Sequence, residues 1–223
     1  MVVNADGIVA LPADADPQQL AMLTINPPSA HLLLETYVQL QPDDWIAINA
    51  ANSAIARWIV SFAKRKGVKT LGLVRRAEAM DAAREAGCEL VLLDDDNAPR
   101  KMTEALGEKR MRLALDAVSG EATGRLAKLL GRRGTLVSYA APSFAAMAVS
   151  PFDVIFNDLT VRGFSVGDPD FAGRIPSAIM QAAKMIASGE TAIPVAATYP
   201  LEEIGVAIAH QVRGGKVLLQ VRD

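Results

Sequence analysis

Residues 49–56 could form an anion-binding turn. They read Asn-Ala-Ala-Asn-Ser-Ala-Ile-Ala and link a short apolar segment to a helical pattern. A strand, a tight turn and the N-terminus of a helix together bind anions, because free backbone N–H groups and the helix dipole point at the ligand. Dinucleotide-binding proteins use glycines in this turn, and here there are none. The residues alone predict a strand–helix connection capped by Asn52 or Ser53. The alternative is a mononucleotide site.

A pair of arginines follows the next apolar segment. Arg75 and Arg76 come directly after Val74. In a dinucleotide-binding fold the end of the second strand faces the adenine ribose, where an acidic residue favours a free 2′-hydroxyl and an arginine accommodates a 2′-phosphate. The other interpretation is that the pair begins a solvated helix. The residues leave both interpretations open.

The composition argues against several other kinds of site. With two histidines, His31 and His210, and one cysteine, Cys88, the chain cannot build a zinc site of the usual Cys and His types or an internal disulfide. The acidic run 94–96 is interpreted as a solvated loop. The net charge of -2 without a long Lys/Arg run predicts no nucleic-acid partner, and no apolar stretch reaches membrane-spanning length. We therefore expect a soluble, cytoplasmic protein.

Strand-like and helix-like segments alternate along the chain. Short apolar runs predict strands, and apolar residues at three- and four-residue spacing predict helices. The predicted strands are 45–48, 70–74, 89–93, 113–118, 135–139, 160–166 and 216–221. The predicted helices are 55–66, 77–86, 102–106, 121–130 (ended by Gly131), 151–159, 175–188 and 201–212.

Strands that are apolar on both faces and alternate with amphipathic helices indicate a parallel sheet covered on both sides. The expected fold class is α/β, a Rossmann-like doubly wound sheet of six parallel strands. The final strand, 216–221, is expected to fit the same sheet. Ligands of such sheets bind at the carboxyl ends of the strands, which places residues 52–56 at the ligand edge.

Several segments of the chain carry a family resemblance. They are residues 26–30 (Asn-Pro-Pro-Ser-Ala), 39–44, 49–56, 115–120, 134–139, 155–164 and 216–219. With this spacing the chain resembles the mitochondrial-type trans-2-enoyl-thioester reductases. These belong to the zinc-independent branch of the medium-chain dehydrogenase/reductase superfamily, close to the quinone oxidoreductases. The resemblance covers nearly the whole chain and implies NADPH as cofactor, with no metal.

The resemblance also implies cofactor contacts for individual residues. They are Asn26 near the nicotinamide; Asn52, Ser53, Ala54 and Ile55 at the pyrophosphate; Arg75 and Arg76 at the 2′-phosphate; Tyr139, Ala140 and Ala141 along the nicotinamide ribose; Phe164, Ser165 and Val166 at the carboxamide; and Lys216 closing over the cofactor.

The chain departs from the family pattern at four glycines, which are alanines here. Two lie in the pyrophosphate turn, Ala54 and Ala56, and two in the ribose loop, Ala140 and Ala141. Each adds a methyl group where backbone should touch the cofactor, and any that needs positive φ adds backbone strain. We therefore expect weakened cofactor binding, which glycine at positions 54 and 56 would strengthen.

Family members also carry an N-terminal GroES-like barrel domain that supplies the substrate pocket and a catalytic tyrosine. No residue here corresponds to that tyrosine, so no catalytic residue is assigned. Met1-Val2-Val3 corresponds to the strand leading out of that domain. The expected division is 1–25, linker and remnant of that domain; 26–190, dinucleotide-binding domain; and 191–223, a C-terminal helix and strand that in relatives pack on the catalytic domain. The chain is either a fragment or a lone cofactor domain.

Three functions are compatible with these residues. The first is an NADPH-dependent oxidoreductase of the enoyl-thioester or quinone type, acting on an unidentified small molecule, of which this chain is the cofactor-binding part. The second is a catalytically inactive domain that serves in oligomerisation or regulation. The third is a different ligand, such as a mononucleotide, in the same crevice. Because relatives pair their sheets edge to edge, we expect a homodimer through the 160–166 strand.

Overall fold

Six parallel strands form the centre of the computed structural model, which describes residues 8–221. The strands are β1 (Trp45–Ile48), β2 (Lys69–Val74), β3 (Leu90–Leu93), β4 (Met111–Asp116), β5 (Leu130–Ser138) and β6 (Thr160–Gly163). Their order is β3-β2-β1-β4-β5-β6. This is the doubly wound order, with the chain reversing direction across the sheet between β1 and β4. The predicted fold class is confirmed.

Helices cover both faces of this sheet. The helices of the described residues are α1 (Pro17–Leu20), α2 (Asn26–Thr36), α3 (Ala54–Arg65), α4 (Met80–Glu85), α5 (Ala98–Leu106), α6 (Glu121–Ala127), α7 (Pro151–Asn157), α8 (Ile175–Ala187) and α9 (Ile204–Arg213), the last of which packs chiefly on the C-terminal strands. In β1, Ile46 and Ile48 pack on the side of α2, α3 and α8, whereas Trp45 and Ala47 pack on the side of α5 and α6. Since successive side chains of a strand point to opposite faces, both faces of β1 are apolar.

The predicted helix 121–130 is too long and the strand after it too short. Helix α6 ends at Ala127 and β5 begins at Leu130, so Gly131 lies inside the strand and does not cap the helix. Leu130 pairs with Met111, and the register then shifts before Leu113 pairs with Thr135. Because Leu130 pairs with Met111, the start of β5 is a strand although its local sequence pattern is helical.

The C-terminal region differs from expectation in two ways. Strand β6 ends at Gly163 rather than at residue 166. The last strand, β8 (Lys216–Gln220), does not join the six-stranded sheet. It pairs in parallel with a strand that was not predicted, β7 (Val195–Pro200), in a separate two-stranded sheet.

Part of the predicted domain organisation lies beyond the structure. Met1-Val2-Val3 lies outside the described residues. The division at residues 26 and 190 stays a prediction. None of the helices within residues 8–221 has the length and hydrophobicity needed to cross a membrane.

Gly72 allows β2 to pack closely beneath the turn that follows β1. A Cβ atom at this position would lie 2.7 Å from Ala51 Cβ and 2.9 Å from Cys88 Sγ. The backbone N–H of Ala51 donates to the carbonyl of Leu73 at 3.1 Å. Cys88 is enclosed by this packing, and burial raises the pKa of its thiol to about 12. The turn therefore rests directly on β2, which fixes its position at the end of the sheet.

Candidate functional site

A pocket of about 380 Å³ opens at the carboxyl ends of the central strands. Its walls come from the segments that follow β1 to β5 and from the first turns of the helices beyond them. The lining residues are Ala50, Asn52, Arg75, Arg76, Ala79, Asp94, Val118, Ala122, Arg125, Pro142 and Ser143. In a doubly wound sheet this edge, where the strand order reverses, is the expected ligand site.

The N-terminus of α3 begins beside this pocket. Ser53 is its N-cap, and the side-chain oxygen accepts a hydrogen bond from the N–H of Ala56 at 3.3 Å. Asn52 precedes the cap, is exposed and lines the pocket. The predicted strand–helix connection is therefore present, and of the two predicted caps, Asn52 and Ser53, the helix uses Ser53. Free N–H groups of the first helical turn make this end of the pocket favourable for an anion.

Two unpaired cations stand at the end of β2. Arg75 and Arg76 are exposed, and both line the pocket. Neither forms an ion pair or a side-chain hydrogen bond with any residue between 8 and 221. Guanidinium groups without a protein partner are free to pair with a phosphate of a ligand.

An ion pair that the sequence analysis missed forms another wall of the pocket. Arg125 of α6 donates from Nε to Asp94 Oδ1 at 2.5 Å. The side chain of Asp94 is only 9% exposed. The interpretation of the acidic run as a solvated loop is therefore wrong for Asp94, whereas Asp95 lies on the α5 side, within 3.9 Å of Lys101. The position of Asp94 directly after β3 was the available signal, because all strands of the sheet end at one edge.

A buried carboxylate shapes the loop between β4 and α6. Asp116 is fully buried, and its Oδ1 accepts hydrogen bonds from Asn49 Nδ2 at 2.7 Å and from the N–H groups of Val118 and Ser119 at 3.0 and 3.1 Å. Its Oδ2 accepts from Thr123 Oγ1 at 2.6 Å. These bonds connect the end of β1 to the loop that carries Val118, which lines the pocket.

The segment after β5 is held against the same loop. Ser119 Oγ donates to the carbonyl of Ala145 at 2.8 Å, and the N–H of Ala148 donates to the carbonyl of Gly120 at 3.1 Å. Gly124 permits this approach, because a Cβ atom there would lie 2.3 Å from the carbonyl oxygen of Ala148. Pro142 and Ser143 are thereby fixed at the rim of the pocket.

Known proteins share this arrangement of elements. Residues 54–188, more than half of the chain, match the family described as zinc-binding dehydrogenase. The chain belongs to this family. It is a nucleotide-binding domain of the medium-chain dehydrogenase/reductase superfamily, and the predicted resemblance is confirmed at that level.

Individual relatives are reductases. A mitochondrial enoyl-acyl-carrier-protein reductase of Caenorhabditis elegans is 32% identical over 172 residues, which are 74% of this chain and 49% of the relative. The human enzyme of the same name is 27% identical over 218 residues, 93% of this chain and 58% of the relative. The chain thus spans about half the length of the known relatives it matches.

Solved structures share the fold. The mitochondrial 2-enoyl thioester reductase heterodimer from Candida tropicalis superposes with a TM-score of 0.83 at 22% identity, covering 96% of this chain and 64% of that one. A mycobacterial quinone oxidoreductase gives a TM-score of 0.83 at 20% identity, covering 94% and 67%.

The family description mentions zinc, and the residues of this member do not fit that metal. Within residues 8–221 no group of three or more His, Cys, Asp or Glu side chains is placed to hold a metal ion. Structural and catalytic zinc sites need at least three such protein ligands. No chemical step is therefore assigned to zinc in this domain.

The structure places some of the predicted cofactor residues in the pocket and others away from it. Asn52, Arg75 and Arg76 line it, and Ser53, Ala54 and Ile55 form the adjoining start of α3. Asn26 begins α2, and Lys216 begins β8 in the separate sheet. Neither of these two residues lines the pocket.

The predicted cofactor residues after β5 and β6 do not line the pocket. Ala140 and Ala141 are exposed. The Tyr139 hydroxyl is buried and has no hydrogen-bond partner within residues 8–221; burial, followed by the nearby Asp116 carboxylate, raises its pKa. Phe164 donates its N–H to the carbonyl of Ser138 at 3.0 Å, and Ser165 and Val166 continue the chain from there.

The four alanines that replace family glycines are not strained. Ala54 and Ala56 lie in the first turn of α3, and neither they nor Ala140 and Ala141 have positive φ. The expected strain is therefore absent, and only the volume of the methyl groups remains. The left-handed residue of this turn is Ala50, with φ of 46°.

Glycine at position 50 should therefore be tolerated better than glycine at position 56. We expect Ala50→Gly to change the free energy of unfolding by less than about 0.5 kcal/mol, because relief of the left-handed conformation offsets the greater freedom of the unfolded chain. Ala56→Gly should cost about 1 kcal/mol or more, since it removes a buried methyl group and lowers helix propensity. Urea unfolding of both variants tests this, and equal losses would contradict it.

Proposed function

We propose that this chain is the NADPH-binding part of a reductase that acts on enoyl thioesters or quinones. The observation that carries the proposal is the position of Arg75 and Arg76 at the end of β2, in a pocket that also adjoins the N-terminus of α3. Neither guanidinium group forms an ion pair with any residue from 8 to 221. The arginines suit a 2′-phosphate and the helix N-terminus a pyrophosphate. The two phosphate-binding features occur together in NADPH recognition.

In this proposal the residues of the chain bind and orient the cofactor. When bound, NADPH supplies the hydride. The Ser53-capped helix end and Asn52 would hold the pyrophosphate, and Arg75 and Arg76 the 2′-phosphate, while the Asp116 network keeps the β4–α6 loop in place along the pocket. By resemblance, the nicotinamide end is assigned to Asn26, to the segments 139–141 and 164–166, and to Lys216.

Relatives support this function over the alternatives. A solved complex of the thioester reductase contains NADP and crotonyl-CoA; its fold matches with a TM-score of 0.83 at 22% identity, and this chain covers 62% of it. The relatives are reductases by name, and none of these comparisons supports an inactive domain. The cytoplasmic location stays a prediction, and the known relatives named above are mitochondrial.

Direct titration tests the cofactor assignment. Calorimetry of the full chain with NADPH and with NADH should show binding of both, with NADPH bound at least about tenfold more tightly, which corresponds to one charge-assisted contact. Absence of binding by either cofactor at millimolar concentration would overturn the proposal. Tighter binding of a mononucleotide such as AMP would favour the third hypothesis.

We also propose that two copies of the chain pair through β6. This strand is the last in the sheet order, and its residues are exposed. The neighbouring helix α7 adds an exposed apolar patch, in which the rings of Phe152 and Phe156 stack 6.2 Å apart and Ile155 is 68% exposed. An open strand edge beside exposed apolar side chains can pair with the strands of other chains and so promote aggregation. A two-fold pairing of β6 with β6 of a second copy would bury both the edge and the apolar patch.

Light scattering at tens of micromolar should therefore give the mass of a dimer. Val161→Pro should yield a monomer, because proline removes a backbone donor from the edge and Val161 contributes exposed apolar surface. Ala196→Pro, in β7 of the separate sheet, serves as the control and should leave the dimer intact. A monomeric wild-type protein would refute the pairing, and a dimeric Val161→Pro variant would place the interface elsewhere.

A further inference from the structure

We propose that Asp94 and Arg125 recognise the adenine base of the cofactor through its exocyclic amino group and an adjacent ring nitrogen. The inference rests on the proposed function, because it assigns a role to a part of the pocket that the phosphate contacts leave unused. Asp94 of this base-selecting pair lies at the end of β3, the neighbour of β2, which carries Arg75 and Arg76 at its end.

The pair stands at the end of β3, next to the end of β2. Asp94 follows Leu93, the last residue of β3, and its N–H donates to the carbonyl of Val74 at 2.8 Å. The side chain of Asp94 reaches Arg125 on α6, and both residues line the same pocket as Arg75 and Arg76. A ligand whose 2′-phosphate meets the arginines at the end of β2 would therefore place its base toward the end of β3.

The polar atoms of this pair are only partly used within the protein. Asp94 Oδ1 accepts from Arg125 Nε, while Oδ2 has no hydrogen-bond partner in the described part of the chain. The Nη groups of Arg125 likewise donate to no residue that the structure describes. Two neighbouring residues of the pocket lining thus retain an acceptor and a set of donors that no described residue uses.

The charge around Arg125 disfavours a phosphate at this wall. Asp94, through its hydrogen bond, and then Asp96 and Glu121 all raise the pKa of Arg125. Three carboxylates therefore act electrostatically on this one guanidinium, whereas Arg75 and Arg76 form no ion pair with the described residues. The pocket therefore has a cationic end suited to phosphate and an acidic end suited to a group that donates hydrogen bonds.

The donor and acceptor pattern distinguishes adenine from other purines. Adenine presents an amino donor next to a ring-nitrogen acceptor, which complements a free carboxylate oxygen beside a free guanidinium. Hypoxanthine presents an oxygen acceptor where adenine has its amino donor. Guanine likewise presents an oxygen acceptor, O6, where adenine has its amino donor. Adenine is therefore the purine that satisfies both groups.

Nicotinamide hypoxanthine dinucleotide phosphate, the deaminated analogue of NADPH, tests this pairing. The wild-type chain should bind NADPH at least about tenfold more tightly than the analogue, because the analogue leaves a carboxylate oxygen facing a carbonyl oxygen. Asp94→Asn should reduce the ratio to about threefold or less, since the amide oxygen keeps the hydrogen bond from Arg125 Nε and the amino group then faces the base, where it suits the carbonyl of the analogue. Arg125→Met should also lower the ratio and provides a second variant if Asp94→Asn fails to fold.

Asp95→Asn is the matched control. Asp95 is adjacent in sequence but accepts from the N–H of Asn97 and does not line the pocket, so this variant should keep the wild-type ratio. Adenosine 2′,5′-bisphosphate, which lacks the nicotinamide half, should compete with NADPH for the site in all folded variants.

The outcomes separate this inference from the proposed function. Equal binding of NADPH and its deaminated analogue by the wild type would overturn the base-selecting pair and leave NADPH binding intact. A folded Asp94→Asn variant that keeps the wild-type preference for NADPH over the analogue would also overturn the base-selecting pair and leave NADPH binding intact. Failure of NADPH and of the bisphosphate to bind the wild type would overturn the proposed function and the pair together.

Discussion

Alanine at both positions 75 and 76 should remove the preference of this chain for NADPH over NADH. The two guanidinium groups stand at the end of β2 without an ion-pair partner among the described residues, and a charge-assisted contact with a phosphate contributes about 1.5–3 kcal/mol. Both side chains are exposed, so screening by solvent places the effect near the lower limit. The expected result is a loss of roughly tenfold or more in NADPH affinity with little change for NADH.

The control for this experiment is Arg84→Ala. Arg84 lies in α4, pairs with Asp81 at 2.7 Å and does not line the pocket. The Arg84→Ala variant removes one positive charge outside the pocket, so its affinities for NADPH and NADH should stay close to those of the wild type. A double variant that keeps the NADPH preference, or an Arg84→Ala variant that loses it, would show that the preference arises from another part of the molecule.

The fold could be predicted because its signals are local. Strands β1 to β4 are short, largely apolar runs bounded by polar or turn residues, and helices such as α3 carry their own apolar spacing. β7 was missed because Val195–Pro200 alternates half-buried with exposed residues and includes two alanines, which have low strand propensity. Its partner, β8, lies beyond α9, so the pairing that stabilises β7 is not visible in its own sequence.

The residues of the candidate site were likewise only partly predictable from the sequence. The turn after β1 and the arginines after β2 were recognisable because each depends on a position relative to one strand. Asp94 and Arg125 were not, because their ion pair joins residues 31 positions apart, and an acidic run after a strand is typical of solvated loops. Nor could the sequence show that Ala50, rather than Ala54 or Ala56, takes the left-handed conformation, since that depends on how the turn rests on β2.

Removal of the Asp116 carboxylate should produce the largest loss of stability among the changes considered. Asp116→Ala would leave the buried donors of Asn49, Ser119 and Thr123, and the half-buried N–H of Val118, without their acceptor. Each buried donor left unsatisfied costs about 1–3 kcal/mol, and relaxation of the loop recovers part of this cost. We expect the free energy of unfolding to fall by about 3–5 kcal/mol, within the range found when a buried polar network loses a member.

Asp116→Asn separates the hydrogen bonds from the charge. Its amide oxygen can take the place of Oδ1 and keep the bonds from Asn49, Val118 and Ser119, while its amino group can donate to the hydroxyl oxygen of Thr123. The loss should therefore stay near 1 kcal/mol, and urea unfolding of the two variants should differ clearly. If Asp116→Ala is as stable as Asp116→Asn, the network does not hold the β4–α6 loop. If it does hold the loop, Asp116→Asn should also keep NADPH affinity, because Val118 then stays in place on the pocket wall.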